Sequence, residues 1–303
     1  MNNPLPYFER NRLLKELCTF GIGGPARYYT EVYSTEELTS ALIACQRQSL
    51  PYFILGKGSN CLFDDRGFDG AIIANRIDFI REEGSGLFHV GAGTSFVLLG
   101  IRTARQGFSG LEFAAGIPGS VGGAIYMNAG ANGKEVSSPL HSIDYVTEEG
   151  RLEHLTASSL CFTYRFSSFQ QWQGSIATAS FSLERDTSAR SRQLALLLRR
   201  KACQPCRDKS AGCIFRNPEK GHAAAFIDMA GLKGLQIGNA AVSSLHANFI
   251  VNQNGRATAS EVLSLIATIQ QQVESRWGIC LRCEVCYVPY EGIQRRSTGV
   301  LAS

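Results

Sequence analysis

The sequence predicts an α+β protein of more than one domain, and three observations carry that expectation. Short apolar strands separated by Gly-rich turns fill the first 186 residues, with isolated helical stretches among them. Around residue 186 the character changes: residues 186–201 are polar and helix-prone, with Leu194, Leu196, Leu197 and Leu198 inside, and read as a connector into a second domain. Near the end, residues 258–277 carry the clearest helical signature. Thr258 and Glu261 stand at capping-box spacing, Val262, Leu265, Ile266, Ile269 and Val273 keep a helical period, and Gly278 supplies the stop.

The other elements follow in chain order. Ser34 can cap a helix that Glu37 closes and that presents Leu38, Leu42 and Ile43 on one face. Residues 52–55 form a short buried strand that ends in Gly56-Lys57-Gly58-Ser59-Asn60, followed by the apolar piece Cys61-Leu62-Phe63. Residues 87–90 read as a strand and 96–106 as a helix stopped by Gly107. The densest glycine run is Gly116-Ile117-Pro118-Gly119-Ser120-Val121-Gly122-Gly123-Ala124, after which residues 142–146 and 175–183 read as strands. Residues 291–303 form a polar tail.

Composition removes several function classes. A net charge of +4 is too small for a nucleic-acid surface, which demands a clustered basic face. The first 20 residues lack a continuous apolar stretch and no run is long enough to cross a bilayer, so a cytoplasmic protein without membrane insertion is expected. The ten cysteines are scattered in a chain too large to need disulfide staples, and read as reduced thiols. Cys203 and Cys206, and then Cys280, Cys283 and Cys286, have spacings that resemble metal ligands. Residues 279–288 read as a strand, however, in which side chains three apart face opposite ways, and no metal is expected.

The two Gly-rich loops point to a phosphate-bearing ligand. Gly56-Lys57-Gly58-Ser59 lacks the spaced upstream glycine of a P-loop, and residues 91–96 lack the last glycine and the acidic partner of a dinucleotide fingerprint. Yet glycine lets backbone N–H groups approach a diphosphate closely and converge through turns with positive φ. Ser59, Asn60 and Ser120 offer side-chain donors beside them.

Taken together, Thr19-Phe20-Gly21-Ile22-Gly23-Gly24-Pro25-Ala26, the two loops, Tyr164-Arg165, residues 212–218, residues 240–243, His246-Ala247-Asn248-Phe249 and Leu281-Arg282-Cys283-Glu284-Val285 resemble the UDP-N-acetylenolpyruvoylglucosamine reductases. The blocks span nearly the whole chain in family order. The resemblance implies a p-cresol methylhydroxylase-type FAD-binding fold of two subdomains, residues 1–75 and 76–186, and a separate α+β substrate-binding domain, residues 187–290. Only a short stretch, residues 166–175, separates Arg165 from the next strand, as in the family type without an inserted substrate-covering loop. FAD would be held non-covalently by Gly56, Lys57, Gly58, Ser59, Asn60, Gly116, Ile117, Pro118, Gly119, Ser120, Gly123 and Ala124, since His89 and His141 do not match the histidine that anchors flavin covalently in some relatives of the fold. NADPH would be the reductant, UDP-N-acetylglucosamine enolpyruvate the substrate, and the protein a monomer.

That chemistry adds hydride to C3 of an enolpyruvyl ether and a proton to C2, with charge developing on the neighbouring carboxylate. By family position Arg165 supplies a cation, Glu284 a hydrogen bond to the developing enolate, and Cys213 the proton, where the family commonly has serine. Tyr164, Arg165, Arg216 (family lysine) and Asn217 would contact the substrate. A free thiol has a pKa of about 8.5, so Cys213 is expected to be a far stronger acid than a serine hydroxyl. Another flavin oxidoreductase of the same fold, such as a sugar or alcohol oxidase, would share the Gly-rich loops without needing the Cys213 and Glu284 blocks, and a non-catalytic metal-binding protein would use the cysteine clusters instead.

Overall fold

Ser34 starts the first helix, α1 (Thr35–Arg47), by accepting a hydrogen bond from the Glu37 amide at 3.2 Å. The Glu37 carboxylate reaches the Tyr33 amide at 2.7 Å, one residue earlier than a capping box places it. The computed structural model describes residues 7–292, so the expected tail lies outside the described residues from 293 onward. Four strands form the sheet that carries α1, in the order Arg12–Leu13, Pro25–Val32, Phe68–Asn75, Tyr52–Leu55. The last three pair in parallel, and nearly every residue of Phe68–Asn75 is buried, which accounts for the apolar residues 71–74 at its centre.

A second sheet is antiparallel throughout, with strands Leu152–Thr156, Leu140–Thr147, Gly174–Ser182, Leu87–Gly91 and Ile80–Glu82 in that order. Helix α1 packs against it as well as against the first sheet, and Leu38 and Leu42 share one core with Tyr28, Ile73, Val146 and Ala177. Helix α2 (Phe96–Arg105) ends just before Gly107, whose φ of +76° is the left-handed position that glycine adopts without strain. The densest glycine run is only half a loop, because Ser120 caps a short helix, α3 (Val121–Tyr126), by accepting from the Gly123 amide at 3.3 Å.

The polar stretch after residue 186 is helix α4 (Ala189–Cys203), and it does more than connect. It packs on α2 and on the 3-10 turn Glu112–Ala114, where Arg192 reaches Glu112 at 3.1 Å and Asp186 at 2.7 Å. Beyond it, α5 (Ala223–Met229) and α6 (Ala259–Trp277) lie with a small antiparallel sheet of Gln236–Ile237, Ala240–Val242 and Ile250–Asn252. Their core takes in Phe20, Ile22 and Leu62 from the beginning of the chain. The chain then returns: Cys286–Val288 pairs in parallel with Cys61–Phe63.

This return corrects the reading of residues 279–288 as one strand. Only Cys286–Val288 is a strand, and Cys283 makes a single bridge to Phe215. The ten cysteines are free thiols, and among the described residues no group of three or more His, Cys, Asp or Glu side chains is disposed to hold a metal. No helix among the described residues is long and apolar enough to cross a membrane.

The start of α6 ties the two ends of the chain together. Thr258 and Glu261 form the expected capping box, with the hydroxyl accepting from the Glu261 amide at 3.1 Å and the carboxylate accepting from the Thr258 amide at 3.0 Å. Asp65, from the loop after Cys61–Phe63, accepts from the next two amides, Ala259 at 2.7 Å and Ser260 at 3.1 Å. Four orphan amides begin any helix, so these bonds satisfy groups that burial would otherwise penalise. Thr258→Ala is expected to lower stability by about 1 kcal/mol, seen as a lower urea midpoint at unchanged slope.

Candidate functional site

The two Gly-rich loops meet face to face. A Cβ added to Gly56 would stand 2.2 Å from Ser120 Oγ, and one added to Gly119, where φ is +141°, would stand 3.2 Å from Ser59 Oγ. Ser59 Oγ donates to the Pro118 carbonyl at 2.9 Å, and Asn60 Nδ2 donates to the Glu284 carbonyl at 3.1 Å. Ser120 Oγ is occupied as acceptor by Gly123. Of the expected phosphate donors Ser59, Asn60 and Ser120, only Ser59 has its hydroxyl proton committed; Asn60 keeps a second N–H and Ser120 its O–H. Ser59 staples the loops to each other, Asn60 ties the first to the Glu284 segment, and Ser120 caps α3.

What the loops leave over is otherwise backbone. Among the described residues, the amides of Lys57, Gly58, Ser59, Gly119 and Ser120 have no acceptor within the protein. These residues line a cavity of 540 Å³, as do Gly56, Asn60, Ile117, Pro118, Gly123 and Ala124. Unpaired amides on glycine turns suit the oxygens of a diphosphate, so the residues present fit FAD. Gly116 is the exception among the twelve expected cofactor residues. It does not line the cavity; its missing Cβ makes room for Arg200, whose Cδ would lie 2.9 Å away. Gly56→Ala drives a methyl into Ser120, and is expected to abolish retention of yellow flavin through purification, checked by absorbance of the purified protein.

Arg165, Cys213 and Glu284 line the same cavity. Arg165 occupies a two-residue turn between the paired strands Phe162–Thr163 and Phe166–Ser167, at φ +59°. A non-glycine residue there costs roughly 1–3 kcal/mol and persists only when its surroundings hold it. Gln170 does so by donating to the Arg165 carbonyl at 3.1 Å and to the Tyr126 carbonyl at 2.8 Å. The guanidinium donates from Nε to Glu284 Oε1 at 2.7 Å and from an Nη to the Gly130 carbonyl at 3.1 Å. Glu284 is 119 residues away in the chain. Its amide donates to the Ile214 carbonyl at 2.7 Å, which sets the Cys213 and Glu284 segments side by side.

Asn248 pins the Cys213 segment from the other side. Buried to 3% exposure, it accepts from the Phe215 amide at 2.9 Å and donates to the Phe215 carbonyl at 2.8 Å. A buried amide satisfied at both ends fixes the strip it holds. Burial raises the Glu284 carboxyl above its ordinary range, outweighing the opposite pull of Arg165 and Arg216. Burial also pushes the Cys213 thiol up to about 12, with Glu284 adding to the rise and Arg200 and Arg165 opposing it. The thiol thus holds its proton at neutral pH, but most of the acidity expected of it over a serine hydroxyl is lost.

The other expected substrate residues lie behind the cavity wall, with the Arg165 guanidinium over the Tyr164 ring at 5.0 Å. Tyr164, Arg216 and Asn217 do not line this cavity. The Tyr164 hydroxyl accepts from the Asn217 amide at 3.3 Å, and the Asn217 side chain accepts from the Ala223 amide at the start of α5 at 3.1 Å. Among the described residues, buried Arg216 Nε has no hydrogen-bond partner. Conversely, α4 delivers Arg199, Arg200 and Cys203 to the cavity wall, followed by its C-cap Gln204, and none of these was expected there. The signal was faint: two arginines after a leucine run in a polar helix normally mean a solvated face.

Residues 26–156 match the model of an FAD-binding domain, and the chain is accordingly a flavin-dependent oxidoreductase. Residues 204–288 match a second model, described as the C-terminal domain of UDP-N-acetylenolpyruvoylglucosamine reductase. Proteins of that name from Protochlamydia amoebophila and Chlamydia muridarum are 56% and 44% identical to this chain, covering 94% and 96% of it and 95% and 98% of themselves. The crystal structure of the enzyme from Thermus caldophilus superposes with a TM-score of 0.79 at 36% identity, over 92% of this chain and 98% of that one. The chain belongs to the UDP-N-acetylenolpyruvoylglucosamine reductase family.

Proposed function

We propose that the protein reduces UDP-N-acetylglucosamine enolpyruvate to UDP-N-acetylmuramate with NADPH, a step in making peptidoglycan precursors. The observation that carries this reading is the convergence of Arg165, Glu284 and Cys213 on the cavity that the two Gly-rich loops line. The balance is one hydride to the methylene C3, one proton to C2, and NADPH oxidised to NADP⁺. FAD, when bound, supplies the two-electron chemistry between NADPH and the enolpyruvyl group. The amides of residues 57–59, Gly119 and Ser120 would hold it non-covalently, with the rest of the two loops shaping the cavity around it.

The chain's own residues do the rest. Hydride addition at C3 pushes electrons toward C2 and its carboxylate, so a cation must already be in place. Arg165 fills that role, its orientation set by Gln170, Gly130 and Glu284 before substrate arrives. Glu284, its pKa raised by burial, hydrogen-bonds the developing enolate when protonated. Cys213 keeps its proton until C2 becomes basic enough to take it, which suits a donor to a carbanion. Tyr164, Arg216 and Asn217 belong to the sugar-nucleotide side, where the arginine guanidinium suits a diphosphate oxygen. The division into residues 1–75, 76–186 and 187–290, a monomeric state and a cytoplasmic location complete the proposal. Incubation with NADPH and the enolpyruvyl sugar, followed by mass analysis, tests it: a product two hydrogens heavier is expected, and unchanged substrate would refute it.

A further inference from the structure

The returning strand sets two thiols side by side. Cys286 is the registered partner of Cys61 where Cys286–Val288 pairs in parallel with Cys61–Phe63. Side chains alternate along a strand, and the two cores show which face each residue takes. Leu62 and Tyr287 pack into the core of α5 and α6, while Cys61, Phe63, Cys286 and Val288 turn to the core of the first sheet. The two thiols therefore share a face. Neighbouring strands stand about 4.7–4.9 Å apart, inside the roughly 4.4–6.8 Å between α-carbons that a disulfide spans. The backbone is pinned here as well: the Cys286 amide donates to the Asn60 carbonyl at 2.9 Å, and Asn60 Nδ2 donates to the Glu284 carbonyl at 3.1 Å.

Neither thiol is sealed off. Both are half-buried and both line the cavity of the two Gly-rich loops, which gives a small oxidant a way in. Cys286 acts electrostatically on Cys61, and Cys18 is a third sulfur within the same reach. Cys18 is otherwise committed: its thiol donates to the Ile22 carbonyl at 3.3 Å, and it does not line the cavity. Burial first, then the sulfurs of Cys286 and Cys18, raise the Cys61 thiol well above its ordinary value. A thiol that holds its proton reacts slowly with an oxidant, so Cys286 is the sulfur attacked first and Cys61 the one that follows.

We propose that Cys61 and Cys286 are a peroxide-reactive dithiol that closes to a reversible disulfide, stapling the Glu284 segment to the first Gly-rich loop. Cys286 takes one oxygen atom from hydrogen peroxide: an S–O bond forms, the O–O bond breaks, and one water leaves with a sulfenic acid left behind. The Cys61 sulfur then displaces that oxygen, which departs with the thiol proton as a second water. Two thiols lose two hydrogens and two electrons, and one peroxide becomes two waters. The paired sulfur also gives the site its reversibility. A sulfenic acid with no thiol beside it goes on to sulfinic acid, whereas a disulfide returns to two thiols with a reductant. Neither cysteine carries a step of the reduction proposed above, so this chemistry stands beside that one.

The test treats the FAD-loaded protein with hydrogen peroxide, alkylates the remaining thiols, digests it without reduction and maps the peptides by mass. The expected species joins the Cys61 and Cys286 peptides, two hydrogens lighter than their sum, and dithiothreitol separates them. The cross-link closes a loop of most of the chain's length, so the thermal midpoint is expected to rise by about 5–10 °C and to fall back on reduction. Cys286→Ser and Cys61→Val are each expected to lack both the linked peptide and the rise. If Cys61→Val does not fold, Cys286→Ser carries the comparison alone. Peroxide that leaves the two thiols unlinked, joins Cys61 to Cys18 instead, or drives either thiol to sulfinic acid overturns the proposal. A rise in midpoint that survives Cys286→Ser does the same, because it would belong to another pair.

Discussion

Cys213→Ala is expected to lose turnover by about 10²–10⁴ while NADPH still reduces the flavin at its normal rate. The split between the two half-reactions is the diagnostic part. Cys213 stands in the cavity with its proton held by burial, and Glu284 and Arg165 lie on the same wall. Removing the thiol takes away the donor to C2 but leaves the amide cradle of residues 56–60 intact. Stopped-flow absorbance separates the steps: fast bleaching by NADPH, then slow return of the flavin band with the enolpyruvyl sugar. Cys213→Ser should recover part of the loss, because a thiol raised to about 12 keeps little acidity advantage over a hydroxyl. Unchanged turnover in Cys213→Ala would remove the residue from the mechanism.

Arg165→Met and Glu284→Gln are each expected to lower kcat by about 10²–10³, with little change in flavin binding. The two side chains meet at 2.7 Å with 18% and 16% of their side-chain surfaces exposed, so neither change leaves the other residue as it was. The double variant should therefore cost much less than the product of the two single losses. Fully additive losses would show that the pair does not act as a unit.

Glu284 also gives the pH dependence its sign. Its carboxyl is raised in the folded chain, chiefly by burial. Its contribution to stability is therefore fully present below the ordinary glutamate value and is lost as pH rises through the folded one. In the same window the protonated form needed to donate to the enolate disappears, so kcat should fall with rising pH. Glu284→Gln should flatten that limb of the profile. A limb that survives the substitution would belong to another group.

Much of this was legible because it is local. Capping residues Ser34 and Thr258, the stop at Gly278 and the strand at residues 52–55 are decided by a few neighbours each, and the structure has them. The Gly-rich runs could be recognised as ligand loops because glycine's freedom is a property of single residues. What the loops do with their side chains was not legible. That Ser59 staples to Pro118 and Asn60 to Glu284 depends on contacts 59 and 224 residues away in the chain.

The residues missed were non-local in the same sense. Arg200 reads as a surface charge on a polar helix until α4 docks on α2 and lays it across Gly116. Residues 279–288 read as one strand by composition, but their partners, Phe215 and residues 61–63, lie in different parts of the fold and allow only a bridge and three paired residues. The acidity of Cys213 was misjudged for a related reason. Thiol chemistry alone sets the starting value, while burial decides where it ends.

The most direct measurement is the anaerobic visible spectrum of the FAD-loaded protein, taken with NADPH and then with UDP-N-acetylglucosamine enolpyruvate. A flavin band that bleaches with NADPH and returns on adding the enolpyruvyl sugar, without oxygen, is the predicted result. A bleached band that only oxygen restores would contradict the reductase account and place the protein among flavin oxidases.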